Sequence, residues 1–170
     1  SLNMVAFGYG VTHLKEGDEV LITLAEHASN TLPWFEVAKH TGAIIKYIDL
    51  DEEGKVTLEN VKKAVTEHTK IISLAQITNV LGYLAPIKEI CNFAHEHDII
   101  VCVDGAQSAP HHAVDVQDLD VDFFAFSGHK MCGPTGVGVL YGKYHLLDEM
   151  TPTRFGGGSN ARYNSCGLVK

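Results

Sequence analysis

The chain has 170 residues, of which 45% are apolar and 20% are charged, and this composition is typical of one globular domain rather than of a disordered chain. The formal net charge is -8 and lysine and arginine form no dense cluster, which argues against a surface for nucleic acid or for an anionic membrane. Small molecules or proteins are therefore the expected partners.

The cysteines and the apolar runs indicate where such a chain works. The four cysteines lie far apart without a CxxC pair, so we predict neither a zinc site nor a disulfide framework and expect a reducing, cytoplasmic compartment. No apolar stretch approaches the roughly 18 residues that span a bilayer, and we expect a soluble chain. The abrupt start and end predict a piece of a longer protein, or a chain trimmed to one domain.

The first part of the chain shows alternating helical and strand patterns. Apolar residues recur at helical spacing over residues 2–14 and predict a first helix, although each glycine inside it costs about 1 kcal/mol relative to alanine. Two helices are predicted next, at 32–40 with Ser29 or Asn30 as cap, and from Thr57 as cap to residue 67. A further helix is predicted at 87–97.

Short apolar runs between these helices predict the strands. They lie at residues 19–24, 43–48, 70–75, 99–103 and 122–126, and a glycine-rich turn at 133–138 leads into a last strand that ends at 141. Such alternation predicts an α/β fold in three layers, with a mostly parallel sheet covered by helices on both faces. We place this domain at 1–150 and expect 151–170 to be a glycine-rich loop, either functional or poorly ordered, and the start of the remaining chain.

Polar side chains follow the carboxyl ends of four predicted strands. Because these ends share one edge of a parallel sheet, residues that are distant in sequence are expected to converge in one crevice there. They are Glu26 and His27, Gln76 and Asn79, Asp104 and Gln107, and Ser127, His129 and Lys130.

Two of these residues suggest a particular chemistry. A carboxylate that ends a buried strand, as Asp104 does, is costly unless it is paired or hydrogen-bonded, and a cap on the next turn is an equally good interpretation. A lysine at such an edge, as Lys130 is, can form a Schiff base with a carbonyl, although a lone lysine is more often a surface residue. An imine-forming lysine and an aspartate that pairs a pyridinium nitrogen are what a pyridoxal phosphate site requires.

Four motifs resemble those of the class V aminotransferase family, and within it those of SUF-type cysteine desulfurases, also called selenocysteine lyase-like enzymes. They occur in the family's order and cover nearly the whole chain up to residue 158. The motifs are EHASNTLPW at 26–34, TNVLG at 78–82, DGAQS at 104–108, and SGHK at 127–130 followed by GPTGVG at 133–138. The resemblance implies the large domain of a fold type I enzyme with pyridoxal 5'-phosphate as cofactor.

The resemblance also implies a role for each residue. Lys130 would hold the cofactor covalently and move protons, Asp104 would pair the pyridine nitrogen, and His27 would stack on the ring and take part in acid–base steps. Gln107 and Asn79 would face the phenolic oxygen and the substrate, with local turn bonding as the alternative. Ser127 and His129 would bind the phosphate.

In the family's reaction, L-cysteine or selenocysteine gives up its sulfur or selenium to a cysteine thiolate of the enzyme and leaves alanine. A homodimer, a sulfur-acceptor protein and a part in iron–sulfur cluster assembly are implied as well. The family's nucleophilic cysteine, its carboxylate-binding arginine and a phosphate-binding threonine match no residue here, and Cys166 fits no motif. We therefore expect most of the cofactor site but not the complete reaction.

Other interpretations stay open. The chain could belong to another class V enzyme, an aminotransferase or a kynureninase-like protein, or it could be a non-catalytic piece of the fold. Histidines at 95–98 and 111–112 lack the spacing of a helical zinc site, and we predict no metal. Cys91 and Cys102 are expected in the core.

Overall fold

A six-stranded sheet forms the centre of the molecule. The computed structural model describes residues 1–155 and the backbone of Arg162–Asn164 and Gly167–Val169. The strands run in the order β2-β1-β3-β4-β5-β6, the first five parallel and β6 antiparallel to β5, which confirms the predicted mostly parallel sheet. They are β1 Glu19–Ile22, β2 Ile44–Tyr47, β3 Thr69–Ala75, β4 Ile100–Asp104, β5 Phe123–Ser127 and β6 Gly138–Gly142.

Helices connect these strands and lie on the two faces of the sheet. The first, α1, consists of Leu2–Val5, a π-helical turn Ala6–Gly10, and Val11–His13. The others are α2 Leu32–Thr41, α3 Leu58–Ala64, α4 Ile87–His95, α5 Val116–Leu119 and α6 Tyr144–Glu149, with 3-10 turns at Ala28–Asn30 and Gly128–Met131. No helix among the described residues is both long and apolar enough to cross a bilayer.

Two apolar cores separate the sheet from its helices, because successive side chains of a strand point to opposite faces. On one side Leu21, Ile72 and Leu74 pack against α3 and α4. On the other side Val20 and Ile22 pack against α1 and α2. The three-layer arrangement predicted from the apolar strands is thereby confirmed.

Close packing explains the glycines of the first helix. A Cβ on Gly10 would lie 3.0 Å from the ring of Trp34, which is 1% exposed, and one on Gly8 would lie 2.8 Å from Met150. The helix therefore approaches its neighbours more closely than alanine would allow, and this packing offsets the low helix propensity of glycine.

The cap predicted for α2 is wrong. Its N-cap residue is Thr31, which makes no side-chain cap bond, while Ser29 and Asn30 belong to the preceding 3-10 turn. Asn30 is fully buried, and its amide bonds to Glu26 and Ser73 instead of to the helix end. Thr57 caps α3 as predicted, by accepting the N–H of Asn60 at 3.1 Å.

Several boundaries also differ from the sequence prediction. Helix α3 ends at Ala64 and not at residue 67, and α5 and α6 were not predicted. Arg162–Asn164 and Gly167–Val169 pair as an antiparallel ribbon, which the sequence did not predict. The glycines at 156–158, Asn160 and Cys166 lie outside the described residues. The division at residue 150 stays a prediction.

Candidate active site

A cavity of about 480 Å³ lies at the carboxyl edge of the sheet, where β3, β4 and β5 end. The volume falls within the roughly 300–1,000 Å³ usual for small-molecule sites. The first residues of α1 also line it, which the sequence prediction missed. Seven of the nine polar residues predicted to converge here line this cavity, whereas Glu26 and Gln76 do not; the seven are His27, Asn79, Asp104, Gln107, Ser127, His129 and Lys130.

Asp104 is the last residue of β4 and is 6% exposed. Its Oδ1 accepts the N–H of Ala106 at 2.9 Å, and within residues 1–155 its side chain makes no other hydrogen bond. Burial raises the pKa of this carboxyl, while the Ala106 bond and the charges of Lys130 and His27 oppose the rise. One oxygen therefore caps the following turn, as the first interpretation predicted, while the pairing of Asp104 with a bound group stays a prediction.

Gly105 permits this arrangement. A Cβ at this position would lie 2.0 Å from Cζ and 2.2 Å from Cε1 of Phe124, a ring that is 2% exposed. The Gly105 N–H also donates to the carbonyl of Ala125 at 2.7 Å. The turn after Asp104 is thus packed directly on the neighbouring strand.

Lys130 lies in the 3-10 turn that follows β5, the strand next to Asp104 in the sheet. The loop that carries it is closed at its base, because the Gly128 N–H donates to Val137 O and the Gly133 N–H donates to Gly128 O, both at 2.9 Å. Lys130 lines the cavity and is close enough to lower the pKa of Asp104. The two groups therefore face one space from neighbouring strands.

His27 precedes the 3-10 turn Ala28–Asn30 and lines the cavity from the β1 side. Its Nδ1 accepts the N–H of Ser29 at 3.2 Å and lies 3.0 Å from the Ser29 hydroxyl. A neutral ring therefore carries its proton on Nε2. The histidine both caps this short turn and presents a ring to the cavity.

Asn79 and Gln107 reach the cavity from loops. Asn79 lies in the turn closed by the bridge between Ile77 and Leu84, and Gln107 lies in the turn after β4. Within residues 1–155 neither side-chain amide makes a hydrogen bond, so the alternative of local turn bonding is not observed. Both amides are available to a bound molecule.

Glu26 belongs to a buried network that the sequence did not reveal. Its carboxylate accepts from Thr23 Oγ1 at 2.9 Å, from Asn30 Nδ2 at 2.8 Å and from the N–H of Ala75 at 2.8 Å. Burial raises the pKa of Glu26 to about 7, and the Asp104 carboxylate adds to the rise. The only signal in the sequence was its position at a strand end with an asparagine four residues later.

The cysteines separate by exposure. Cys91 and Cys102 are fully buried, as predicted, and burial raises the pKa of each thiol to about 12. Cys132 is exposed. His95, which was not predicted to bind a metal, contacts two carboxylates. Its Nδ1 lies 3.1 Å from Oδ2 of Asp120, and its Nε2 lies 2.9 Å from Oδ2 of Asp122.

A lysine and an aspartate that face one cavity at this edge of a mostly parallel sheet are characteristic of fold type I pyridoxal phosphate-dependent enzymes. Comparison with protein families identifies the group more narrowly. The family model described as aminotransferase class-V matches residues 1–168, and the chain belongs to this family. The resemblance seen in the sequence is thereby confirmed.

Two relatives with curated names are described as cysteine desulfurases. A probable cysteine desulfurase of Halalkalibacterium halodurans is 54% identical over 157 residues, which are 92% of this chain and 39% of the relative. The cysteine desulfurase of Haloferax volcanii is 47% identical over 92% of this chain and 37% of its own length. The chain thus spans well under half of the curated relatives that it matches.

Solved structures agree with this placement. The cysteine desulfurase CsdA from Escherichia coli superposes with a TM-score of 0.93 at 41% identity, over 99% of this chain and 42% of that one. A variant of C-DES with glycine covalently linked to its PLP cofactor superposes with a TM-score of 0.86 at 28% identity, over 99% and 45% of the two chains.

Proposed function

We propose that the protein containing this chain is a pyridoxal phosphate-dependent cysteine desulfurase, and that this part of it supplies most of the cofactor site. The observation that carries the proposal is the meeting of Lys130 and Asp104 in one cavity from neighbouring strands. The names of the relatives support the choice of cysteine as substrate.

The residues fit the cofactor. Asp104 has one carboxylate oxygen without a partner in residues 1–155, and this oxygen would accept the pyridinium N–H. The amine of Lys130 would hold the cofactor covalently at its aldehyde carbon. Ser127 and His129, beside the closed turn at the end of β5, would bind the phosphate. When bound, pyridoxal phosphate supplies an electron sink for the α carbon of the substrate.

Three side chains would manage charge and protons around that ring. The positive charges of Lys130 and His27 favour the ionised form of Asp104 against the cost of burial, which suits pairing with a pyridinium. His27 would cover one face of the ring and offer the Nε2 proton. The Lys130 amine would carry protons to and from the α carbon of the substrate. Asn79 and Gln107 would donate to the phenolic oxygen and to the substrate.

The overall transfer balances without an added oxidant. Cysteine and an enzyme thiol give alanine and an enzyme persulfide, as the carbon–sulfur bond breaks, a sulfur–sulfur bond forms and the β carbon takes a proton. Selenocysteine would react in the same way. A thiolate must attack, and Cys91 and Cys102 cannot serve because they are buried with pKa values of about 12. The attacking cysteine is proposed to lie elsewhere in the protein.

Partners follow from the chemistry of the product. A persulfide must be discharged before the next turnover, so we propose a sulfur-acceptor protein that serves iron–sulfur cluster assembly in the cytoplasm. A homodimer is proposed because Leu24 and Val80, 80% and 82% exposed beside the cavity, leave apolar surface uncovered.

The test compares Lys130→Ala with Lys70→Ala, which removes an exposed lysine of β3, in the full-length protein. Wild type and Lys70→Ala should develop the visible absorbance of lysine-bound pyridoxal phosphate. After borohydride reduction, which makes the attachment permanent, mass spectrometry should find the pyridoxyl group on Lys130. Lys130→Ala should show neither signal. If wild type shows no such absorbance band, the protein is a non-catalytic piece of the fold and the proposal of an enzyme is wrong.

Product analysis separates the class V alternatives. A desulfurase should convert cysteine to alanine and sulfide in the presence of a reductant, in equal amounts. Pyruvate and ammonia would instead indicate elimination, and turnover of other amino acids without sulfide would indicate an aminotransferase or a kynureninase-like enzyme.

A further inference from the structure

Glu26 bonds to three donors on two segments of the chain. Thr23 and Asn30 belong to the β1–α2 connection, whereas the N–H of Ala75 is the last of β3. All three distances are 2.8–2.9 Å, as expected for hydrogen bonds to a carboxylate. One side chain therefore joins the loop that carries His27 to the end of β3.

Asn30 continues this connection into the core. Its Oδ1 accepts the hydroxyl of Ser73 at 2.7 Å, and both residues are 0% exposed. The Glu26 network, which comprises Thr23, Glu26, Asn30, Ser73 and the Ala75 N–H, thus holds the loop against β3 at two places two residues apart. His27 lies between Glu26 and Asn30, so its position depends on both bonds.

The network also borders Asp104. Ala75 pairs with Asp104 in the sheet register and lines the same cavity. From the geometry we propose that Glu26 is a positioning residue, which holds His27 and the β3 edge in the arrangement that binds the cofactor ring. This inference rests on the proposed function, because the ring is the group that the arrangement would receive.

The charges around Glu26 predict how its protonation behaves. Asp104 on β4 faces it as a second carboxylate, His27 adjoins it in the loop, and Lys130 acts on Asp104 from the turn after β5. Burial raises the pKa of Glu26 from 4.5 to about 7 against its three hydrogen bonds, and the Asp104 charge adds a smaller rise. Folding therefore favours the protonated form, and this contribution to stability is lost as the pH rises toward 7.

Four variants of the full-length protein test the inference. Glu26→Gln keeps an oxygen that can accept from Ala75 and Asn30, and its amide nitrogen can donate to the Thr23 hydroxyl. Glu26→Asp keeps the carboxylate on a shorter side chain. Glu26→Ala removes the carboxylate and all three hydrogen bonds. Glu19→Ala is the matched control, because Glu19 accepts from Thr66, Thr69 and Lys46 at the opposite end of β1.

Pyridoxal phosphate titration is the first measurement. We expect dissociation constants about tenfold higher for Glu26→Ala and Glu26→Asp, the effect of losing a hydrogen bond between the loop and β3, and values near wild type for Glu26→Gln and Glu19→Ala. If Glu19→Ala weakens cofactor binding as much as Glu26→Ala does, Glu26 only stabilises the fold in general. If Glu26→Gln weakens it equally, the charge of Glu26 matters and not its hydrogen bonds. Either result overturns the inference, as would unchanged affinity in Glu26→Ala and Glu26→Asp.

Two further measurements need no cofactor. The Ala75 amide should exchange hydrogen faster in Glu26→Ala and Glu26→Asp than in Glu26→Gln or Glu19→Ala, since its partner is the Glu26 side chain. The melting temperature of wild type should fall relative to Glu26→Gln as the pH rises from about 4.5 to about 7. If wild type binds no cofactor through Lys130, the proposed function fails, while these two results still decide the role of Glu26.

Discussion

Substitution Gly105→Ala would put a methyl group where the ring of Phe124 now lies. The new Cβ would be 2.0 Å from Cζ and 2.2 Å from Cε1, against 3.4–4 Å for ordinary contacts, so the ring or the turn must move by about 1.4 Å. Phe124 is 2% exposed within a packed core and has little space for such a shift. Overpacking of this kind costs about 1–3 kcal/mol, and we expect about 3 kcal/mol here.

Urea unfolding of the chain, followed by the fluorescence of its single tryptophan, Trp34, measures this cost. With a slope of about 2 kcal/mol per molar, the midpoint should fall by about 1.5 M. Gly82→Ala is the control, because Gly82 has a φ of +72° but no atom within 4 Å of a new Cβ, so only backbone strain of about 1 kcal/mol applies. If both variants shift the midpoint equally, contact with Phe124 is not what requires glycine at 105.

Two further predictions concern charge and thiols. Lys143 donates to Asp120 and lowers the pKa of that carboxyl, so its contribution to stability should be present above about pH 4 and be lost below. Asp120→Asn should therefore lower the unfolding free energy by up to about 1 kcal/mol at pH 7 and by less at pH 3, measured in urea, and a loss equal at both values would contradict the pairing. Iodoacetamide at neutral pH should label exposed Cys132 and spare buried Cys91 and Cys102 in the native chain, as read by peptide mass spectrometry; labelling of either buried thiol would contradict their placement.

The strands were predictable because their side chains are buried on both faces of the sheet. Strand β3 begins one residue before its predicted start, and β4 lies within one residue of its predicted range. Such continuous apolar runs carry a signal that does not depend on the rest of the fold. Helices α5 and α6, of four and six residues, are too short to show a helical period, which is why the sequence did not reveal them.

The direction of β6 and the network around Glu26 were not predicted from the sequence, for two different reasons. The ten residues between β5 and β6 are too few for a crossover helix, so the length of this loop already indicated antiparallel pairing. The sequence prediction did not take that length into account. Glu26 bonds to Asn30 and Ala75, and Asn30 bonds to Ser73, and no local pattern connects residues 26 and 30 with residues 73 and 75. The order of strands and helices was enough to predict that the strand ends share one edge of the sheet. It was not enough to predict which side chains at that edge bond to each other.

The antiparallel return of β6 has a consequence for how this protein can vary. Ser127 and Gly138 are direct partners in the sheet, so the segment with Lys130 leaves the scaffold and rejoins it at a single rung. The pairing of these two residues fixes where both ends of the segment lie, whatever the length of the segment between them. Lys130 is therefore held by a loop whose two ends are anchored at one point of the sheet.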